Sequence, residues 1–153
     1  MLRIGTGWIF IHAGWEKVSN PEFATGLGKT LERFASQNPY PWMQSLLNNV
    51  AIPNPGVFAP LFSWGELLVG LSLLFGVLSP LGILGALLMN ATFFFAAGWS
   101  SASTATANEM MIFAELVMLF GFAGKVLSVD QLVYRYYPKV LPWWPRRLEE
   151  AVC

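Results

Sequence analysis

Charge is what this chain has least of. Nine basic and nine acidic residues occur in 153, 12% of the total, and the formal net charge is zero. Soluble domains carry about 25% charged residues, so half the usual complement is missing. Histidine and cysteine are scarcer still, with His12 and Cys153 each standing alone. One cysteine excludes a disulfide framework, and one of each excludes a Cys/His zinc cluster within the chain. Lacking a basic field to hold phosphates, the chain is no nucleic-acid binder. Disorder is excluded by the opposite excess, because 55% of the residues are apolar and 15% aromatic. Such a chain is built for a solvent that is mostly not water.

The charges that are present keep to a few places. Arg3 stands near the start, six follow from Glu16 to Arg33, and Glu66 is isolated. Residues 67–108 carry none, Glu109 and Glu115 come next, and eight fall between Lys125 and Glu150. A transmembrane helix needs about 20 predominantly apolar residues, and four spans are expected at 2–18, 57–79, 81–100 and 107–127. Ser79-Pro80 divides the second from the third, and the small polar run from Ser100 to Thr106 divides the third from the fourth. Gly124 and Lys125 suit the end of the last helix. A soluble bundle would need charged outer faces, which 67–108 cannot provide. His12, Glu16 and Lys17 interrupt the first run and no small-residue cleavage site follows, so a retained span is expected there rather than a signal peptide.

The expected fold is therefore all-α, an integral membrane four-helix bundle with an amphipathic extracytoplasmic segment between its first two spans. The bundle is expected over 1–133, followed by an aromatic and basic tail over 134–153. With four spans both termini share a side. That side carries Arg3, Lys125, Arg135, Lys139, Arg146 and Arg147, against Lys17, Lys29 and Arg33 on the other. The excess of Lys and Arg marks the cytoplasmic side, so both termini are expected in the cytoplasm of a bacterium, with the bundle in its inner membrane.

Residues 19–56 read as an interfacial cap. Leu27, Leu31 and Phe34 form a helical stripe within 25–37, Asn38 to Trp42 a proline-rich aromatic turn, and Met43, Leu46, Leu47 and Val50 a second short stripe. Aromatic and apolar residues at that density suit a membrane surface. The tail combines three tyrosines and two tryptophans with Arg135, Lys139, Arg146 and Arg147, while Pro138, Pro142 and Pro145 forbid a continuous helix. It reads as an anchor among lipid headgroups or as a docking strip for another subunit.

Polar groups within the spans are costly and mark function by default. Counted inward at about 1.5 Å per residue, Glu66 lies roughly 14 Å deep, Glu115 roughly 12 Å and Asn90 roughly 15 Å. His12 sits somewhat shallower on the first span. Glu66 shares a helical face with Gly70, and Glu115 lies in line with Asn108, Met111 and Leu119. Small and apolar borders of this kind suit an apolar small-molecule pocket. Glu66 and Glu115 are the candidate catalytic groups, and His12, Glu66, Asn90, Asn108 and Glu115 the candidate lining of a quinone or pigment pocket. A protonated carboxyl there can donate a hydrogen bond to a carbonyl or relay a proton. The competing reading is a polar network that simply locks the helices together.

Neither a flavin or nicotinamide fingerprint nor a P-loop occurs, and Gly26-Leu27-Gly28 is too short and wrongly flanked to be one. No metal site is expected, since His12 and Glu16 alone lack further ligands. No redox centre is expected to be intrinsic to the chain. Electron transfer would need a bound quinone or, second to it, a pigment or a haem held through His12, which could not be bis-His.

The Gly14-Trp15-Glu16-Lys17 exit from the first span, Gly65-Glu66-Leu67-Leu68-Val69-Gly70, the later Gly76, and Asn108 opening the last span resemble the DoxX/DoxD family of four-helix membrane proteins. The run from Gly121 to Asp130 is similar as well, with Lys125 where an arginine is frequent, and the resemblance spans about 1–133. DoxD-like members resemble a subunit of thiosulfate:quinone oxidoreductase that works with a second subunit, DoxA. The resemblance implies a quinone-linked role with Glu66, Asn108 and Lys17 as the matching positions. The expected partners are membrane lipid and other membrane subunits. The alternative is a non-catalytic accessory subunit of a larger respiratory or photosynthetic complex, binding neighbours, lipid or pigment.

Overall fold

The computed structural model describes residues 1–121 and 128–136, and every regular element among them is helical. The elements are α1 (Leu2–Ser19), α2 (Pro21–Ser36), α3 (Pro41–Leu46) continuing into a π-helical turn (Leu47–Ala51), α4 (Pro55–Phe75), α5 (Ser79–Ala97), α6 (Ala102–Phe120) and α7 (Val129–Tyr136). Among the described residues, α4 and the stretch Ser79–Ser100 are the two helices long and apolar enough to cross a membrane. Only 28% and 33% of their apolar windows are buried inside the molecule. The core helix of a water-soluble domain would hide most of its surface.

Packing follows from the small residues. A β-carbon on Gly7 would come within 2.7 Å of the Leu74 backbone nitrogen, one on Gly14 within 2.6 Å of that of Leu67, and one on Gly70 within 2.6 Å of that of Ile11. Glycine alone permits such backbone contact between helices, so α1 and α4 run antiparallel in one tight pair. α6 packs along α5, and α4 joins the two pairs by packing against α5. Phe10, Leu73, Ile83, Ala86 and Met118 form the core between them.

The cap is a second core. Asn20 accepts from the Glu22 N–H at 3.0 Å and Pro21 occupies the first turn, so α2 starts where the chain leaves α1. Leu27, Leu31 and Ala35, spaced by one helical turn, are buried with Met43, Leu47 and Ala51 against Ala59 of α4 and Ala96 of α5. The Asn38 amide donates to the Phe95 and Ala96 carbonyls at 3.1 and 3.2 Å, fastening the aromatic turn to the end of α5. Of the expected stripe, Met43 and Leu47 are buried, while Leu46 and Val50 are 41% and 48% exposed. The buried period runs through 43, 47 and 51 instead, because the π-helical turn moves the stripe.

Two boundaries differ from expectation. The second helix stops at Phe75, four residues early, because Gly76 adopts the left-handed conformation (φ 68°) and ends it. The last expected span, α6, begins at Ala102, within the polar run expected to be a break. Ser101 accepts from the Thr104 N–H at 3.1 Å, so those hydroxyl residues form a cap and first turn. The α6 helix ends at Phe120, and the expected continuation through 122–127 lies outside the described residues, as does the tail from 137 onward. α7 runs through the expected domain boundary at 133.

Candidate functional site

Two polar pairs lie between the long helices. Lys17, near the end of α1, reaches back to α4 and donates to both carboxylate oxygens of Glu66. Glu66 is 3% exposed. The Lys17 ammonium also lies over two aromatic rings, 5.5 Å from the Phe93 centroid and 6.0 Å from that of Phe23. The negative faces of those rings attract the partly buried ammonium. Phe23 belongs to the cap and Phe93 to α5, so the ammonium sits where α1, α4, α5 and the cap meet.

Across the bundle, the Asn90 amide of α5 donates to Oε1 of Glu115 on α6. Glu115 is fully buried, and its Oε2 has no hydrogen-bond partner among the described residues. Buried polar atoms are overwhelmingly paired in folded proteins, so an unpartnered carboxyl oxygen marks a place where another group can bond. The two pairs share a height. Gly85 of α5 faces Val69 of α4, and a β-carbon at the glycine would lie only 3.1 Å from the valine Cγ2. By that antiparallel register Asn90 lies level with Trp64, two residues and about 3 Å along the axis from Glu66.

The remaining expected positions fall elsewhere. His12 is exposed on the outer side of α1, between the exposed Trp8 and Trp15, and does not join the two pairs. Asn108 is half-buried, and its amide donates to the Thr104 carbonyl of its own helix at 2.8 Å. Among the described residues no group of three or more His, Cys, Asp or Glu side chains could hold a metal.

A third polar cluster, at the end opposite the cap, is one that sequence reasoning missed. Asp130 accepts from the Leu78 and Ser79 backbone N–H groups at 2.8 and 2.7 Å, capping α5 from a distant part of the chain. Its own N–H donates to the Gly76 carbonyl at 2.9 Å. Leu78 holds a positive φ of 51°, a conformation unfavourable for leucine that these bonds sustain. Arg3, Ser79, Ser128 and Asp130 are all buried here. Asp130, in the first turn of α7, is visible in the sequence, but no local pattern ties it to a turn 51 residues away.

One ion pair, Lys17–Glu66, and one amide–carboxyl hydrogen bond, Asn90–Glu115, thus lie between helices that are apolar and largely uncovered. The model of the family described as "TQO small subunit DoxD" matches residues 1–145, and the chain belongs to this DoxD family. No curated protein and no solved structure matches the chain.

Proposed function

We propose that this chain is the membrane subunit of a thiosulfate:quinone oxidoreductase-like enzyme, a bundle in which α1, α4, α5 and α6 all cross a bacterial inner membrane. In this reading the termini lie in the cytoplasm, the cap faces outward, and a second, thiosulfate-oxidising subunit of the DoxA kind docks on the assembly. The observation that carries it is the ion pair of Lys17 and Glu66 sunk between apolar helices at the height of Asn90 and Glu115. Ionisable groups at such depth are expensive and are kept for transport of ions, protons or polar ligands.

The donor set fits a quinone headgroup. Its two carbonyl oxygens need hydrogen-bond donors, and the flat ring needs apolar and aromatic walls. Lys17 has an ammonium proton beyond those directed at the two Glu66 oxygens. Glu115, when protonated, presents Oε2 as a donor with no other partner among the described residues. Phe23 and Phe93 supply ring surface beside Lys17. A bound quinone accepts two electrons and two protons and leaves as the quinol. The electrons come from the partner subunit. Glu66 and Glu115 hold and hand on the protons, Lys17 fixes the position of Glu66, and Asn90 orients Glu115.

Thiosulfate-dependent quinone reduction, measured on the complex reconstituted in liposomes and normalised to assembled complex, tests this. Glu66→Gln and Glu115→Gln are each expected to lower the rate about a hundredfold, the usual worth of a positioned proton donor. An unchanged rate per assembled complex in both variants sinks the proposal and leaves the accessory role.

A further inference from the structure

We propose that the outward face of α1 is the surface on which two copies of this chain pair side by side in the membrane. The inference rests on the reading above, in which α1 crosses the bilayer. That depth follows from packing, because Gly7 and Gly14 press α1 directly onto α4, one of the two helices apolar enough to span.

On the side of α1 away from α4 lie Gly5, Ile9, His12 and Glu16, all exposed and spaced by four, three and four residues. That spacing is a single seam of the kind that packs helix against helix. Trp8 and Trp15 flank it, each 62% exposed, and Ile9 is 53% exposed. A β-carbon at Gly5 would meet nothing within 4 Å in the single chain, which leaves room for a second backbone to approach closely.

The seam carries two polar groups that no other described residue satisfies. His12 stands ten residues from Leu2 and seven from Ser19, so at least about 10 Å from either end of the helix. Neither its imidazole nor the Glu16 carboxyl makes a hydrogen bond or ion pair among the described residues, although they stand one turn apart. Polar side chains at membrane depth almost always face protein rather than lipid. Acyl chains offer neither donors nor acceptors.

A second copy supplies the complement by construction. Around a two-fold axis along the membrane normal the two α1 helices run parallel, so Gly5 meets Gly5 and Ile9 meets Ile9 of the partner copy. The His12 imidazole N–H of each then donates to the Glu16 carboxylate of the other, one turn along the seam. An isologous interface forms this bond twice. An unrelated helix would have to bring an acceptor and a donor at the same spacing, and nothing in the molecule calls for one.

The test uses the full chain in native membranes, with Cys153→Ser removing its own thiol. Ile9→Cys in that background is expected to oxidise to a disulfide-linked dimer at least about tenfold more readily than Phe113→Cys, which lies 67% exposed on α6. In detergent, His12→Ala is expected to raise the dimer dissociation constant by about tenfold. The exchanged pair His12→Glu/Glu16→His is expected to restore it, since the reciprocal bond survives the swap. Equal cross-linking of the two cysteines, cross-linking of Ile9→Cys to a different protein, or a monomeric mass in lipid nanodiscs overturns the proposal. Labelling of Ile9→Cys by a membrane-impermeant maleimide removes the spanning reading beneath it. A shielded cysteine that fails to cross-link rejects the dimer alone.

Discussion

The molecule is two antiparallel helix pairs side by side, and they hold their buried carboxyls in different ways. In the α1–α4 pair glycines bring the backbones into contact, and Glu66 is clasped through both oxygens by a cation. In the α5–α6 pair Glu115 receives one hydrogen bond from an amide and keeps one oxygen without a partner. Both carboxyls are withdrawn from water. The difference teaches that burial alone does not assign a role. A carboxylate held bidentately by an ammonium is fixed in position and exchanges protons through that cation, whereas a carboxyl with one idle oxygen is free to bond something that arrives.

Breaking the first pair should be the most costly change. Lys17→Ala leaves Glu66 buried without its cation, and removing one member of a buried pair costs about 3–5 kcal/mol. Lys17 keeps 28% of its side-chain exposure, so the lower end, about 3 kcal/mol, is expected from reversible unfolding in mixed micelles. Replacing both members, Lys17→Met with Glu66→Leu, should recover most of that loss, because two apolar side chains leave no charge stranded. A single variant as stable as the parent would mean that the clasp is ornamental.

The link between the pairs comes next. The turn from Gly76 to Leu78 joins α4 to α5 and is held by Asp130. Asp130→Ala strands two backbone N–H groups and the strained Leu78, and about 2 kcal/mol should be lost. Adding Leu78→Gly should return about 1 kcal/mol, since glycine adopts a positive φ without strain. Thermal unfolding of the three variants checks both numbers, and an additive rather than compensating effect would show that the turn does not depend on the carboxylate.

Much of this is legible in the residues, and what is not has definite causes. Uncharged runs and their proline and glycine punctuation place the long helices, and depth counting singles out Glu66, Asn90 and Glu115. Pairing is another matter. Lys17 reads as an interfacial charge because it follows the first apolar run, yet the α1–α4 register and a long flexible side chain carry its ammonium back to Glu66. The apolar Val77 and Leu78 extend the expected second helix to 79, and only the backbone conformation at Gly76 reveals the stop. Depth alone groups His12 with the pocket. It says nothing of direction around the helix, and α1 turns that residue outward because Gly7 and Gly14 claim the opposite face. The partner of Asp130 depends on a contact across the fold, which local pattern cannot carry.

The closeness of the first pair can be tested without touching a charge. Gly14→Ala puts a methyl against the Leu67 backbone, which cannot yield as a flexible side chain would. Overpacking of this kind costs about 1–3 kcal/mol, and about 2 kcal/mol is expected from thermal unfolding. The matching change on the cap, Gly26→Ala, meets open space on α2 and should stabilise slightly, by about 0.5 kcal/mol, because alanine is the better helix former. Equal effects at the two sites would mean that the intimate α1–α4 contact is not what distinguishes the pairs.

The smallest effect should come from the second pair. Asn90→Leu removes the one donor to Glu115, so Oε1 joins Oε2 in having no partner. A buried acceptor left unbonded costs about 1–3 kcal/mol. Glu115 has no cation to lose, and a protonated carboxyl can turn its own hydrogen toward a neighbouring carbonyl, so the lower end, about 1 kcal/mol, is expected. Activity should respond more than stability. In the proposed function Asn90 orients Glu115, and on that reading thiosulfate-dependent quinone reduction by Asn90→Leu should fall about tenfold, while Asn90→Gln, which keeps the amide, should recover part of the rate. Stability and activity falling together to the same degree would make the α5–α6 pair a second lock, and the contrast between the two carboxyls would disappear.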